Sequence, residues 1–198
     1  MQFNPSQLAA KDVYKLLTGA VVPRPIAWVS TISEEGELNL APYSFFTVAS
    51  RQPPLLCISI GEGTDEREGT VKDTLVNIRS QKEFVINVVS SELGNQMQKT
   101  AENSASHVNE FEEAQLTPIP SDLVKPMRVK EAPIQMECRL EKIIPLGTDH
   151  LVIGQMIRYH IQDQYYLGNY KVNLEKLSAL GRYAGNYSVS TEFFTLPK

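Results

Sequence analysis

The chain has 198 residues (22.2 kDa), of which 42% are hydrophobic and 21% charged, with 11 glycines and 12 prolines. These values describe one globular domain over residues 1–198 and exclude general disorder, collagen-like repeats and low complexity. Its 19 basic and 23 acidic residues give a net charge of −4, and Lys and Arg nowhere cluster, so neither nucleic acid nor an anionic membrane surface is expected as a partner.

No stretch approaches the roughly 18 apolar residues of a transmembrane helix. The opening Met-Gln-Phe-Asn-Pro lacks a basic region followed by an apolar core, so no secretory signal is expected and the expected location is cytoplasmic. Cys57 and Cys138 sit far apart in apolar runs and form no zinc or redox motif, which reads as two buried free thiols.

In chain order, residues 7–18 read as a short helix with Leu8, Val13, Leu16 and Leu17 near one face and Gly19 as its stop. Residues 24–33 are rich in β-branched and aromatic residues and predict a strand. Glu35-Gly36 marks a turn, and a partner strand begins at Leu38. Pro42 should interrupt that strand with a bulge or kink, strand character resuming through Phe45, Phe46 and Val48. Leu55–Ile60 is apolar almost throughout and predicts a buried strand. Residues 61–69 read as a polar loop. A helix is expected near 72–81, with Thr70 and Asp73 in a capping pattern and Leu75 and Ile78 facing inward.

Phe84–Val89 predicts another strand, and Ser90 or Ser91 a cap for a helix with Leu93, Met97 and Ala101 on one stripe. Residues 102–133 are polar and Pro-rich, with one short helix near 107–114. Residues 134–144 and 149–161 alternate as two strands around a Gly147-Thr148 turn, and a short helical turn is expected over Leu174–Leu180. Many strands with a few helices between them imply a mainly β, closed or nearly closed antiparallel barrel with peripheral helices, not alternating βαβ units.

The common catalytic signatures are absent. Gly61-Glu62-Gly63 starts a dinucleotide fingerprint, but Glu66 stands where the third glycine belongs. There is no Walker sequence, no His-Glu-x-x-His and no nucleophile elbow, and His107, His150 and His160 lack metal-ligand spacing.

Two segments remain. In Asn39-Leu40-Ala41-Pro42-Tyr43-Ser44-Phe45-Phe46, a kinked strand would leave backbone groups needing partners, beside aromatic surfaces. A flat heteroaromatic would satisfy both; a plain barrel corner is the alternative. In Thr70-Val71-Lys72-Asp73-Thr74, a helix N-terminus, a lysine and a hydroxyl together suit a phosphate. An ordinary capped helix with a solvated lysine is the alternative there.

Arg24-Pro25-Ile26-Ala27-Trp28-Val29-Ser30-Thr31, Asn39–Phe46, Pro53-Pro54, Lys72-Asp73-Thr74 with Asn77-Ile78, and Glu83-Phe84-Val85-Ile86-Asn87 resemble the flavin reductase-like family, which has the FMN-binding split-barrel fold and includes flavoredoxin. The resemblance runs from about residue 20 to the C-terminus, more loosely in the second half, through Asp149-His150 and Arg182-Tyr183-Ala184-Gly185-Asn186-Tyr187. It implies a Greek-key split barrel and an FMN-binding homodimer with the flavin near the subunit interface.

By the same resemblance, Ser30 and Thr31 end a strand beside the flavin, while Asn39, Ala41, Pro42, Tyr43, Ser44 and Phe45 line its ring and ribityl chain. Ser59 would lie on the neighbouring strand. Lys72, Asp73 and Thr74 would hold the phosphate, and Arg24 would be a second cation. His150 and Arg182 would approach from the partner or the nicotinamide side, His150 being the one catalytic candidate, with residues 102–130 bounding that face. Two departures stand out. Ala184 replaces a glycine common near the end, and Asn173 stands where aspartate is common.

The resemblance implies an oxidoreductase in which NAD(P)H passes hydride to flavin N5, the protein supplying orientation. The alternatives are a flavoredoxin-type FMN electron carrier without its own NAD(P)H activity, and a flavin-free binding barrel.

Overall fold

The computed structural model describes residues 1–62, 69–102 and 108–197. Gly63, Glu66 and most of the expected polar loop lie outside the described residues, as do His107 and the rest of the segment 103–107.

Seven antiparallel strands form the main sheet. In chain order they are β2 (Ala27–Ile32), β3 (Leu38–Tyr43), β4 (Phe46–Ser50), β5 (Leu55–Gly61), β6 (Glu83–Val88), β9 (Ile134–Leu146) and β10 (Asp149–Ile161). Their spatial order is β3-β2-β6-β9-β10-β5-β4, so the two sheet edges, β3 and β4, are joined in the chain by Ser44 and Phe45 alone. A sheet whose edges are that close in sequence must curl round on itself. Phe45 O ties the seam by accepting from Ser59 N at 2.8 Å. The result is a Greek-key split β-barrel, as expected.

The remaining strands are β1 (Arg24–Pro25), β7 (Pro118–Ile119), β8 (Arg128–Val129), β11 (Leu180–Tyr183) and β12 (Asn186–Val189). A small side sheet β1-β11-β12 lies beside the barrel, and β7 pairs with β8. Among the described residues, five α-helices decorate the fold: α1 (Ala10–Ala20), α2 (Asp73–Gln81), α3 (Gly94–Lys99), α4 (Glu110–Glu113) and α5 (Leu174–Leu177). Among the described residues, no helix is long and apolar enough to cross a membrane.

Strand periodicity sorts β2 between two apolar layers. Ala27 and Val29 join Ile58, Ile60, Phe84, Ile86 and Val152 inside the barrel, roofed by Leu75 and Ile78 of α2. Trp28 faces the other way, into a second cluster with Ile26, Leu40, Met97, Phe111 and Val129. Trp28 is fully buried, and its Nε1 donates to Thr100 Oγ1 at 2.8 Å, so the indole loses no hydrogen bond inside.

Several local expectations are corrected. Residues 24–33 split at Ile26 into β1 and β2, which belong to different sheets. Pro42 does not interrupt its strand: it pairs with Trp28 in an unbroken register from Leu38 to Tyr43. The reason is geometric. Leu40 N points away from β2, to Glu110 Oε2 at 3.1 Å, so two residues further on the missing Pro42 N–H also falls on the free side of this edge strand. The break comes at Ser44 and Phe45 instead.

Leu55–Ile60 alternates rather than being buried throughout: Leu56, Ile58 and Ile60 are buried while Cys57 and Ser59 are half-buried. Lys72, not Thr70, occupies the N-cap of α2, and its side chain makes no capping bond. Neither serine caps the 93–101 helix through its side chain: Ser91 opens a single 3-10 turn and α3 follows. Leu93 and Met97 are buried there, but Ala101 is exposed. On α1, Tyr14, Leu16 and Leu17 are exposed and only Thr18 is buried.

Cys57 and Cys138 are free thiols. Cys138 is the deeply buried one, its pKa pushed far up by burial and by the neighbouring Glu137 charge, and burial raises that of Cys57 as well.

Candidate functional site

The free side of β3 borders two adjoining hollows. The first, about 120 Å³, is lined by Asn39, Ala41, Pro42 and Tyr43 of β3, by Lys72, Asp73 and Thr74 at the start of α2, by Thr100, Ala101 and Glu102, and by Glu110 of α4. The second, about 170 Å³, is lined by Tyr14, Ile26, Pro42, Ser44, Met97, Ala101, Arg182 and Tyr187. Pro42 and Ala101 border both, so the two make one groove along the strand edge, with Lys72 at one end and Arg182 at the other.

Backbone parity decides what that edge offers. Because Leu40 N faces outward, so does Leu40 C=O, and so does the carbonyl of Pro42, which has no N–H to show beside it. Past Glu110 the strand therefore presents acceptors, suited to a ligand's N–H or hydroxyl.

Beneath the first hollow runs a network of short polar contacts. Thr74 Oγ1 donates to Asn39 Oδ1 at 2.8 Å, and Thr31 Oγ1 donates to the same oxygen at 3.1 Å. Asn77 Nδ2 donates to Thr31 Oγ1 at 3.0 Å. At its other end, Asn39 Nδ2 donates to both Glu110 oxygens, at 3.2 and 3.3 Å. Burial raises the Glu110 pKa above its ordinary value, against the pull of the Leu40 N–H, and the Asp73 charge adds to the rise.

At the far end, the Arg182 guanidinium lies 4.2 Å from the Tyr187 ring centroid, and Tyr187 Oη donates to Gln98 Oε1 at 2.8 Å. Ala184 adopts a left-handed conformation (φ 45°), which a glycine would take more easily. Asn173, the other departure, caps α5 by accepting from Lys176 N at 3.0 Å.

The structure thus gathers Asn39, Ala41, Pro42, Tyr43, Ser44, Lys72, Asp73, Thr74 and Arg182 along one groove, with Thr31 just below it. Five expected residues stand elsewhere. Phe45, at the break between β3 and β4, lines neither hollow. Ser30 is buried on the opposite face of β2, its hydroxyl donating to Met127 O. Arg24 is buried: Nη1 donates to Thr18 O at 2.7 Å and to Val21 O at 2.8 Å, where α1 ends. Only its Nε reaches toward the groove, to Ser44 Oγ at 3.4 Å, and its guanidinium lies 5.8 Å from the Phe45 ring centroid.

Ser59 donates to Asp149 Oδ1 at 3.4 Å, on the β5–β10 ladder. His150 pairs with Ile60 on that ladder and lines neither hollow. The sequence reading missed Glu110, Thr100 and Glu102. Glu110 follows Asn109, which caps α4 by accepting from Phe111 N at 3.1 Å, and that cap was the available signal.

One further cluster lies apart from the groove. Glu137 is fully buried; it accepts from Asp122 N at 2.8 Å and Leu123 N at 2.7 Å, and His160 Nε2 lies 2.6 Å away. Burial works to raise its pKa, but the two backbone N–H groups and His160 outweigh it and hold the carboxyl below its ordinary value. Asp122, Glu137 and His160 are close enough to share an ion. Glu137 is already engaged by these donors, and Asp122 lies 3.6 Å from Arg158 Nε and 4.0 Å from Arg128 Nη2. The cluster pins loop 121–124 to the barrel.

Comparison with known proteins agrees with this architecture. A family model described as "Flavin reductase like domain" matches residues 19–177. An uncharacterised protein of Aquifex aeolicus is 44% identical over 189 residues, 96% of this chain and 95% of that one. Among solved structures, nitrilotriacetate monooxygenase component B from Bacillus cereus superposes with a TM-score of 0.94 at 38% identity, covering 99% of this chain and 98% of the other. The 2-nitrobenzoate 2-nitroreductase of Pseudomonas fluorescens gives 0.88 at 30% identity, covering 100% and 96%.

Proposed function

The chain belongs to the flavin reductase-like family, and from that premise we propose that it binds FMN along the β3 edge and carries hydride from NAD(P)H to the flavin. One observation carries the reading: Lys72 and the start of α2 line the same groove as the acceptor-rich strand edge Asn39–Tyr43, with Arg182 and Tyr187 at its other end. A phosphate suits the helix N-terminus, where the N-cap side chain makes no capping bond and Lys72 adds a positive charge. Outward carbonyls at Leu40 and Pro42 suit the N–H and hydroxyl groups of a flavin and its ribityl chain.

When bound, the flavin supplies the hydride-accepting ring. The protein's part is placement. Lys72 and α2 anchor one end, β3 sets the lateral position, and Arg182 over Tyr187 offers a cation at the opening. In this reading Ser30, Arg24 and Ser59 hold the scaffold and do not touch the flavin. No acid or base is required at N5, which suits a groove where His150 takes no part.

The relatives fit an oxidoreductase: one is a monooxygenase component and another a nitroreductase by name. We also propose that a second copy of the chain covers the exposed apolar residues Tyr14, Leu17, Val21 and Val22 on and just after α1, making a homodimer. The test is anaerobic addition of NADH, then NADPH, to the FMN-loaded protein. Loss of the oxidised flavin absorbance with either donor is expected. Absorbance that persists with both would replace the reductase by a flavoredoxin-type electron carrier fed by another donor.

A further inference from the structure

Glu110 is a carboxylate at the Lys72 end of the groove, where the reading above puts the flavin phosphate, and there it has the wrong sign for an anchor. It is buried, and it lines the hollow together with Lys72 and Thr74. A carboxylate accepts and does not donate, so the end of the Asn39 side chain that meets it must be the NH₂. That orientation turns Asn39 Oδ1 toward the hydroxyls of Thr31 and Thr74, and both donate to it. The Thr74 proton is thereby drawn back into the network and away from the hollow.

The effect of Glu110 is therefore twofold. Its charge opposes an anion directly, and through Asn39 it makes the lining accept where a phosphate needs donors. Resting on the FMN reading above, we propose that Glu110 is a positioning residue that weakens the grip on the flavin phosphate, so that the protein holds FMN as an exchangeable ligand and not as a permanent group.

Glu110→Gln tests this. The amide keeps the shape and can still accept from Leu40 N. Its NH₂ faces Asn39, which is relieved by turning the Asn39 amide so that its own NH₂ faces Thr74. The lining then loses a negative charge and gains a donor. FMN and riboflavin differ by the phosphate alone, so the readout is the ratio of their dissociation constants, measured by quenching of flavin fluorescence. The variant is expected to bind FMN about tenfold more tightly, with riboflavin within about twofold of wild type.

An unchanged or weakened FMN affinity, or equal tightening of both ligands, overturns the proposal. A second test needs no variant: wild-type protein loaded with FMN is expected to lose it on desalting, and retention of one FMN per chain overturns the proposal as well. If the wild type binds neither flavin, it is the FMN reading that has failed. If it binds both and Glu110→Gln does not raise the preference for FMN, the Glu110 proposal alone has failed.

Discussion

Arg24 stands directly opposite Arg182 in the β1–β11 ladder, yet the two guanidiniums serve different ends of the structure. Arg24 is buried and gives its protons to the carbonyls of Thr18 and Val21, the negative end of the α1 dipole. Arg182 stacks on Tyr187 and lines the groove. Like charges facing each other across a ladder repel, and the α1 carbonyls offset this by stabilising the charge on Arg24.

Arg24→Met should therefore lower stability by about 2 kcal/mol, the cost of losing charge-assisted bonds to carbonyls left inside. Arg182→Ala should change stability by less than about 1 kcal/mol, since the contact of half-buried Arg182 with the exposed Tyr187 ring contributes little. Urea denaturation of both variants checks the contrast.

The Glu137 carboxyl is held below its ordinary pKa, so its contribution to stability is present above the unfolded glutamate value, about pH 4.3, and is lost as pH falls through the folded value. Glu137→Gln can satisfy only one of the Asp122 and Leu123 N–H groups and should cost about 3 kcal/mol at neutral pH. The gap between variant and wild type should narrow below about pH 4. Thermal unfolding at a series of pH values measures both effects.

Gly154 sits at a register shift between β9 and β10, where a Cβ would lie 2.3 Å from Cζ of the fully buried Phe84 ring. Gly154→Ala must displace that ring from the centre of the barrel. A loss of about 2 kcal/mol or more in chemical denaturation is the expected result.

Much of the fold was legible because hydrophobic alternation and turn residues mark strands locally. The β9–β10 hairpin follows from its two alternating runs around Gly147-Thr148, and α2 from Leu75 and Ile78. What was hidden depends on long-range neighbours. The straight passage of β3 through Pro42 requires knowing that β3 is an edge strand, which only the seven-strand order reveals. Placing Ser30 outside the groove requires the parity of β2 relative to the barrel interior. Arg24 reads as a surface cation until the end of α1 is set above it. Glu110 is separated from Asn39 by most of the β3–α4 sequence, so no spacing rule could pair them.

The most direct test of the FMN site is a fluorescence titration of wild type and Lys72→Glu with FMN and riboflavin. The account predicts that wild type binds both, with FMN the tighter, and that Lys72→Glu weakens FMN at least about tenfold while leaving riboflavin within about twofold. A wild-type protein that quenches neither flavin, or a Lys72→Glu variant that binds FMN as well as wild type does, would contradict it.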